Sequence, residues 1–456
     1  MKKSLFILLT FILLGFGFQT KAHDFSVTNN NQTIYYKITS TTYPYTVAVT
    51  YKGSCPTEFT NEYTGDINIL SSITHDGITY SITSIDFYAF YCCSGLTSIT
   101  IPNSITSIKE SAFEDCSGLN SINIPSSINS IGINAFKGCS NLIYLNVDDS
   151  NNNFSSDNGI LYSKVMDTLI CCPAGKTGVV NIPNSVINIA GHAFYKCCGL
   201  ISISTGSQVI SIGDNAFSGC NGLNSISISN SVILIGDYAF CNCSGLDSVY
   251  IPNSVISIGN SAFSRCENLR TVHIGESVYS IGNEVFFGCF KLNSLNLPKY
   301  VNNIGEYVVA NCFNLSSISS RAISPPRITQ NTFYGVSRDI PLFVPETSLL
   351  DYKYAPYWSE FNNIQHLIGL DDILNNDFST KLYPNPAKNN ATLEIEGYGD
   401  KANVVVYDLL GRIIKSYSIK AGINQLPIDV SGFESGVYNI KVISNKNSIT
   451  RKLIVR

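Results

Sequence analysis

Nine cysteines (Cys93, Cys116, Cys139, Cys197, Cys220, Cys243, Cys266, Cys289 and Cys312) recur every 23 residues, with one longer interval between Cys139 and Cys197. Thiols can ligate a metal, attack a substrate or bridge, and each chemistry makes its own demand on spacing. A structural metal site needs paired ligands of the CxxC kind; the chain has none, and its five His are scattered. A nucleophile needs a base beside it. His192 follows Gly191 in a turn slot and His273 faces outward on a strand, and the repeat gives neither a cysteine or carboxylate partner. Bridges remain. Neighbouring strands lie about 4.8 Å apart, close to disulfide range, and cysteine-rich exported chains favour bridging. Yet each of these cysteines follows an apolar Phe or Val slot, and a free Cys behaves as a small buried hydrophobe. We therefore read the column as buried free thiols. Cys55, Cys92, Cys171, Cys172, Cys198 and Cys241 stand outside it and are the better bridge candidates, and the odd total of 15 leaves at least one thiol unpaired.

The cysteines belong to a longer phrase, seen cleanly from Ala239-Phe240 through Cys243, Leu246, Val249, Ile251-Pro252, Val255 and Ile258-Gly259. A fixed period of this size signals stacked supersecondary units that cannot fold singly. Within a unit, Leu96, Ile99 and Ile101 take the first, fourth and sixth places, and alternation sends Ser98 and Thr100 outward. Pro102, Pro125, Pro183, Pro252 and Pro298 close this strand, since proline has no N–H for the ladder. A second short strand holds Val255 and Ile258, Gly259 marks a turn, and Ala262-Phe263 predicts a turn or short helix before Cys266. The interval between Cys139 and Cys197 is 58 residues and predicts a variant coil with a strand pair turning at Asp157-Asn158-Gly159.

Charged residues make up 14% of the chain and the net charge is −4, so no basic stripe for nucleic acid exists. Lys2 and Lys3, the apolar run from Leu5 to Phe18, and Thr20-Lys21-Ala22 read as an export signal, too short to span a bilayer. No later stretch is apolar enough for a transmembrane segment. Strands over Thr33–Ile38 and Tyr45–Tyr51 predict an N-terminal cap, residues 341–364 with Trp358 cover the other end, and Leu370–Phe378 reads as a linker.

The repeated phrase resembles the BspA-type leucine-rich repeat of bacterial surface proteins over roughly residues 82–345. The coil at Val309–Cys312 departs by losing its Phe, and the coil at Phe333 has Val336 in the Cys slot. The resemblance implies adhesins or host-binding proteins. At the other end, Tyr383-Pro384-Asn385-Pro386, then Tyr407-Asp408 with Gly411-Arg412, then Gly436 and Tyr438, resemble the type IX secretion sorting domain of Bacteroidota. That implies a small β-sandwich read by the secretion machinery. The expected organisation is a signal peptide (1–22), a cap (23–81), a mainly β right-handed leucine-rich-repeat solenoid (82–345), a cap and linker (346–378) and a sorting domain (379–456).

No catalytic signature is present: no Gly-x-Ser-x-Gly, no His-Glu-x-x-His, no phosphate loop and no dinucleotide fingerprint. No cofactor is expected. Ser98, Ser121, Ser202, Ser225, Ser248, Ser294 and Ser317 form an outward column better explained as a hydrogen-bonded ladder than as nucleophiles. The varying columns are more informative. Asp247, Tyr250, Arg270 and His273, with Tyr279 on a neighbouring edge, are the one cluster of large or charged outward groups on a Ser/Asn wall, and aromatic and Arg residues dominate binding hot spots. They are the candidate contacts for a host or matrix protein or a glycan. Two rivals stand: a surface coat without a specific ligand, and an enzyme built on the variant coil at 148–180 from Asp148, Asp149, Asp157, Lys164 and Asp167.

Overall fold

A computed structural model describes residues 21–29, 32–58, 61–367, 379–396, 401–408, 412–420, 425–444 and 448–456. The export signal up to residue 20, the linker over Leu370–Phe378 and Gly411 lie outside them. The chain forms two compact units, Met1–Leu342 with Lys353–Asn363, and Phe343–Tyr352 with Ile364–Arg456.

The first unit is a β-solenoid. Each regular coil contributes a strand of three to six residues, and most add another of two. Ser248–Ile251 pairs in parallel with Thr271–Ile274, Ser248 opposite Thr271 and Tyr250 opposite His273. Ser257–Ile258 pairs in parallel with Ser280–Ile281, which pairs with Asn303–Ile304. Every partner lies one period away, so like stacks on like. In Ser248–Ile251 the pleat buries Val249 and Ile251 and exposes Ser248 and Tyr250.

Three columns hold the coils together. The first is phenylalanine: Phe194, Phe217, Phe240, Phe263 and Phe286 stack with centroids 4.8–5.8 Å apart and planes within 18° of parallel. The second is cysteine. Cys243 Sγ donates to the Phe217 carbonyl of the preceding coil at 3.1 Å, and the same bond recurs at 2.8–3.2 Å for Cys116, Cys139, Cys220, Cys266, Cys289 and Cys312. The slot needs a group small enough to be buried that still carries a donor, and cysteine is both. Burial raises the thiols of Cys116, Cys139, Cys243, Cys266, Cys289 and Cys312, Cys139 to about 12, so these stay protonated donors. The third is glycine. A Cβ on Gly259 would sit 2.5 Å from the Gly236 carbonyl carbon and 2.6 Å from Asp237 N. Gly259 is therefore required by the close approach of the preceding coil's backbone rather than by a turn.

The Ala-Phe segment is a turn, not a helix. Residues in left-handed conformation flank it four apart, such as Tyr238 (φ 56°) with Asn242 (φ 58°) and Ser261 (φ 53°) with Arg265 (φ 57°). These reverse the chain twice around the buried ring.

All 15 cysteines are free, so the six candidates outside the column form no bridge in this structure. Cys172 and Cys241 are buried like the column itself. The serine ladder is also sparser than expected. Ser225 reaches Ser202 at 3.1 Å, whereas Ser98 turns to Asp66; Asn146 to Asn123 (3.1 Å) and Ser319 to Asn296 (2.7 Å) carry the neighbouring outward column instead.

The variant coil folds as expected: Phe154–Asp157 pairs antiparallel with Ile160–Ser163 across Asn158 and Gly159, both at positive φ. Thr168–Cys171 pairs back on that hairpin, then runs parallel to Asn188–Ile189 and rejoins the stack. At the front, Thr46–Thr50 pairs in parallel with Ile78–Ile85, while Phe25–Asn29 and Gln32–Ser40 add antiparallel strands outside it. At the rear, Trp358 is buried against Phe333 and Phe361 and donates Nε1–H to the Pro326 carbonyl at 2.9 Å.

The second unit holds two antiparallel sheets. Asn390–Glu396 lies between Ser379–Tyr383 and Gln425–Asp429, and Lys401–Tyr407 lies between Ile413–Lys420 and Gly436–Ser444, with Ser448–Val455 outermost. Leu393, Ile395, Val404, Val406, Ile428, Ile440, Val442 and Leu453 form its core. This is the small sandwich expected.

Candidate ligand-binding surface

Parallel register brings four of the five candidate residues together. Tyr250 and His273 occupy the same outward slot on adjacent strands, and their rings stack at 4.6 Å with planes 2° apart. Asp247 and Arg270 share the slot three residues earlier, where Arg270 Nε donates to Asp247 Oδ1 at 2.9 Å and the Arg270 N–H donates to the Asp247 carbonyl at 2.8 Å. Tyr250 is 53% exposed, and the Arg270 and Asp247 side chains are 55% and 66% exposed. The result is a flat aromatic plate beside a fixed ion pair. A salt bridge this exposed adds little stability, about 0–1 kcal/mol, so the residues are free of a folding role.

Tyr279 is elsewhere. It precedes Ser280–Ile281 on the second ladder, accepts from Asn302 Nδ2 at 2.6 Å, and lines a separate cleft of about 310 Å³ with Lys299, Tyr300, Asn302 and Ile323. The same outward slot on preceding coils holds Ile210, Ile233 and Ile256, all more than a third exposed. This apolar stripe was missed in the sequence, although isoleucine recurring beside a Ser-Ile pair marked it.

The candidates on the variant coil do not converge on one site. Asp148 Oδ1 accepts the Ser150 N–H, Asp157 Oδ1 accepts from the Asn158 amide, and Lys164 Nζ donates to the Asp149 carbonyl. Hydrogen bonds from Ser163, then Thr168, hold the Asp167 carboxyl below its usual range. Asp148, Asp157 and Asp167 bond within their own short segments, and Lys164 ties two segments of the coil. No group of three or more potential metal ligands exists among the described residues.

In the sorting domain, Asn385 is a clamp: Nδ2 donates to the Lys452 carbonyl at 2.7 Å and Oδ1 accepts the Ile454 N–H at 2.9 Å. Asp408 accepts from the Arg412 main chain at 2.9 Å and from its Nε at 2.6 Å. Tyr438 is buried and donates its hydroxyl to the Glu434 carbonyl at 2.9 Å, and the Tyr383 hydroxyl accepts from Gln425 at 3.2 Å. Gly436 opens the strand that carries Tyr438. The described motif residues therefore secure the sandwich at its strand ends.

A stack of 23-residue coils with a Leu-x-x-Ile-x-Ile strand on one side defines a leucine-rich-repeat solenoid. The chain belongs to the BspA type leucine rich repeat family, matching it over residues 67–160, 174–289 and 258–379, more than half its length. Residues 381–456 match the secretion system C-terminal sorting domain, which assigns the protein to type IX export and the cell surface. Among solved structures, the pneumococcal vaccine antigen PcpA is similar at 20% identity and TM-score 0.49, covering 76% of this chain and 100% of that one. A leucine-rich cell surface protein of Faecalibacterium prausnitzii is similar at 20% identity and TM-score 0.42, with 69% and 98% covered. A leucine-rich repeat protein of Bacteroides ovatus is similar at 25% identity and TM-score 0.46, with 72% and 81% covered. No curated protein sequence is significantly similar to the chain. Among the described residues, no helix is long and apolar enough to cross a membrane.

Proposed function

We propose that this surface protein is a non-catalytic adhesin, a rigid scaffold that binds a host or matrix protein or a glycan through the Tyr250–His273 plate and the Asp247–Arg270 pair beside it. The exposed stack of two rings supports this reading most directly. Rings fixed by their own ladder lose little freedom on binding, and Tyr and Arg supply the contact area and donors typical of hot spots. Repeat folds use their extended walls as binding surfaces, which fits this placement on the strand face. Tyr279, on the other ladder, is not part of this surface.

The test is a triple variant, Tyr250→Ala with Arg270→Ala and His273→Ala, in the full chain, assayed on immobilised matrix proteins and on a glycan array. At least a tenfold loss on whichever surface the parent protein binds is expected. Attachment undiminished by all three changes would remove the reading and leave the surface-coat alternative, which the flanking Ser and Asn columns favour.

A further inference from the structure

The variant coil breaks the phenylalanine column, and the residue that replaces the ring is a cysteine. In regular coils the Phe N–H donates to the Ala carbonyl of the next coil, as Phe194 does to Ala216 and Phe217 to Ala239, both at 2.7 Å. Cys172 N–H donates to the Ala193 carbonyl at 2.7 Å and so occupies the same slot. The next coil's column cysteine, Cys197, ought then to bond the Cys172 carbonyl as its counterparts bond a Phe carbonyl. It does so only weakly, at 3.6 Å against 2.8–3.2 Å elsewhere. Its sulfur lies 3.7 Å from the Pro173 carbonyl oxygen, and the Cys172 sulfur lies 3.8 Å from that same oxygen. Cys220 and Cys243 also touch, but Cys243 keeps its 3.1 Å carbonyl bond. Cysteines of one column occupy equivalent turn slots one period apart, whereas Cys172 and Cys197 come from different slots and both sulfurs lie within 3.8 Å of one carbonyl oxygen. The Cys197 thiol also reaches the Cys172 side chain, and a disulfide requires two sulfurs brought together in this way.

We propose that Cys172 and Cys197 are joined by a disulfide in the exported protein, stapling the variant coil to the regular stack where the ring column is interrupted. The reaction is exchange with a disulfide-carrying oxidoreductase of the cell envelope. The thiolate of one cysteine attacks the oxidant's disulfide and expels one of its sulfurs as thiolate. The second cysteine, as thiolate, attacks the mixed disulfide at the first cysteine's sulfur. An intramolecular S–S bond forms, the oxidant leaves as a dithiol, and two electrons and two protons have passed to it. The exchange occurs before the coil closes, because both cysteines are buried once folded and a buried thiol is a poor nucleophile.

The experiment uses the full chain recovered after export. It is denatured in iodoacetamide without reductant, digested and mapped by mass spectrometry. One cross-linked peptide pair holding Cys172 and Cys197 is expected, with the column cysteines from Cys220 to Cys312 alkylated. Recovery of both residues singly alkylated, or of Cys172 bridged to any other cysteine, overturns the proposal. A melting measurement checks it independently. Reduction is expected to lower the melting temperature of the exported parent by roughly 6 °C or more and to leave a Cys172→Ser variant unmoved. A parent protein insensitive to reductant also overturns it.

Discussion

Truncating Phe240 isolates what burial adds to a stacked ring. Phe240 is fully buried, with Phe217 and Phe263 each 5.0 Å away and planes within 7° of parallel. Phe313 stacks on Phe290 at 5.7 Å and 12°, yet it is 76% exposed. Phe240→Ala removes a core side chain that its neighbours cannot fully collapse upon, at about 3–5 kcal/mol. The two lost stacking contacts, about 0.5–1.5 kcal/mol each, place it in the upper half of that range. Phe313→Ala loses one exposed stack and little buried area, so about 0.5–1 kcal/mol is expected. Urea unfolding followed by far-ultraviolet circular dichroism measures both. Each coil leans only on its neighbours, so a weakened central coil also separates unfolding into two steps. Equal losses for the two variants, or less than about 1.5 kcal/mol for Phe240→Ala with a single transition, would refute the view that the buried ring column holds the coils together.

Two further outcomes are expected. Gly259→Ala places a methyl group within 2.6 Å of backbone on the preceding coil, which cannot yield as a side chain would, so the melting temperature should fall steeply; Gly432→Ala, with nothing within 4 Å, should leave it almost unchanged. Burial pushes the Glu62 carboxyl up to about 7, against hydrogen bonds from Lys52 that pull it down. The folded state thus holds that proton more tightly than the unfolded chain, and its stabilisation is present below pH 4.5 and lost as pH rises through 7. Glu62→Gln should therefore gain on the parent between pH 5 and 8 in paired melting curves, and a constant difference across that range would show that the carboxyl does not titrate there.

The coil was legible because each repeated residue answers a demand imposed by the coil above or below it. Leu246, Val249, Ile251, Val255, Ile258 and Phe263 are all buried as their spacing requires. Cys243 follows the same logic, since its small size and single donor fit the slot beneath Phe217. What the period could not show was how the backbone meets those demands. Gly259 looked like a turn because glycine usually marks one, but the constraint is a neighbouring backbone. Of the left-handed pairs, Asn242 is a residue that favours this region, but Tyr238, Ser261 and Arg265 are not, so only part of the reversal was marked by residue identity.

The candidate surface was legible only in part, for a related physical reason. Parallel in-register pairing guarantees that residues one period apart touch, so Tyr250 with His273 and Asp247 with Arg270 could be paired by counting. Counting also set Tyr279 on a neighbouring edge, but it could not show that this edge is a second ladder with its own cleft. The same reasoning reaches Cys172. Its number falls outside the 23-residue column, and only its bond to Ala193 shows that it fills a phenylalanine slot beside Cys197. In a stack where like lies on like, the proposed contacts and the proposed bridge both fall where the repeated residue changes.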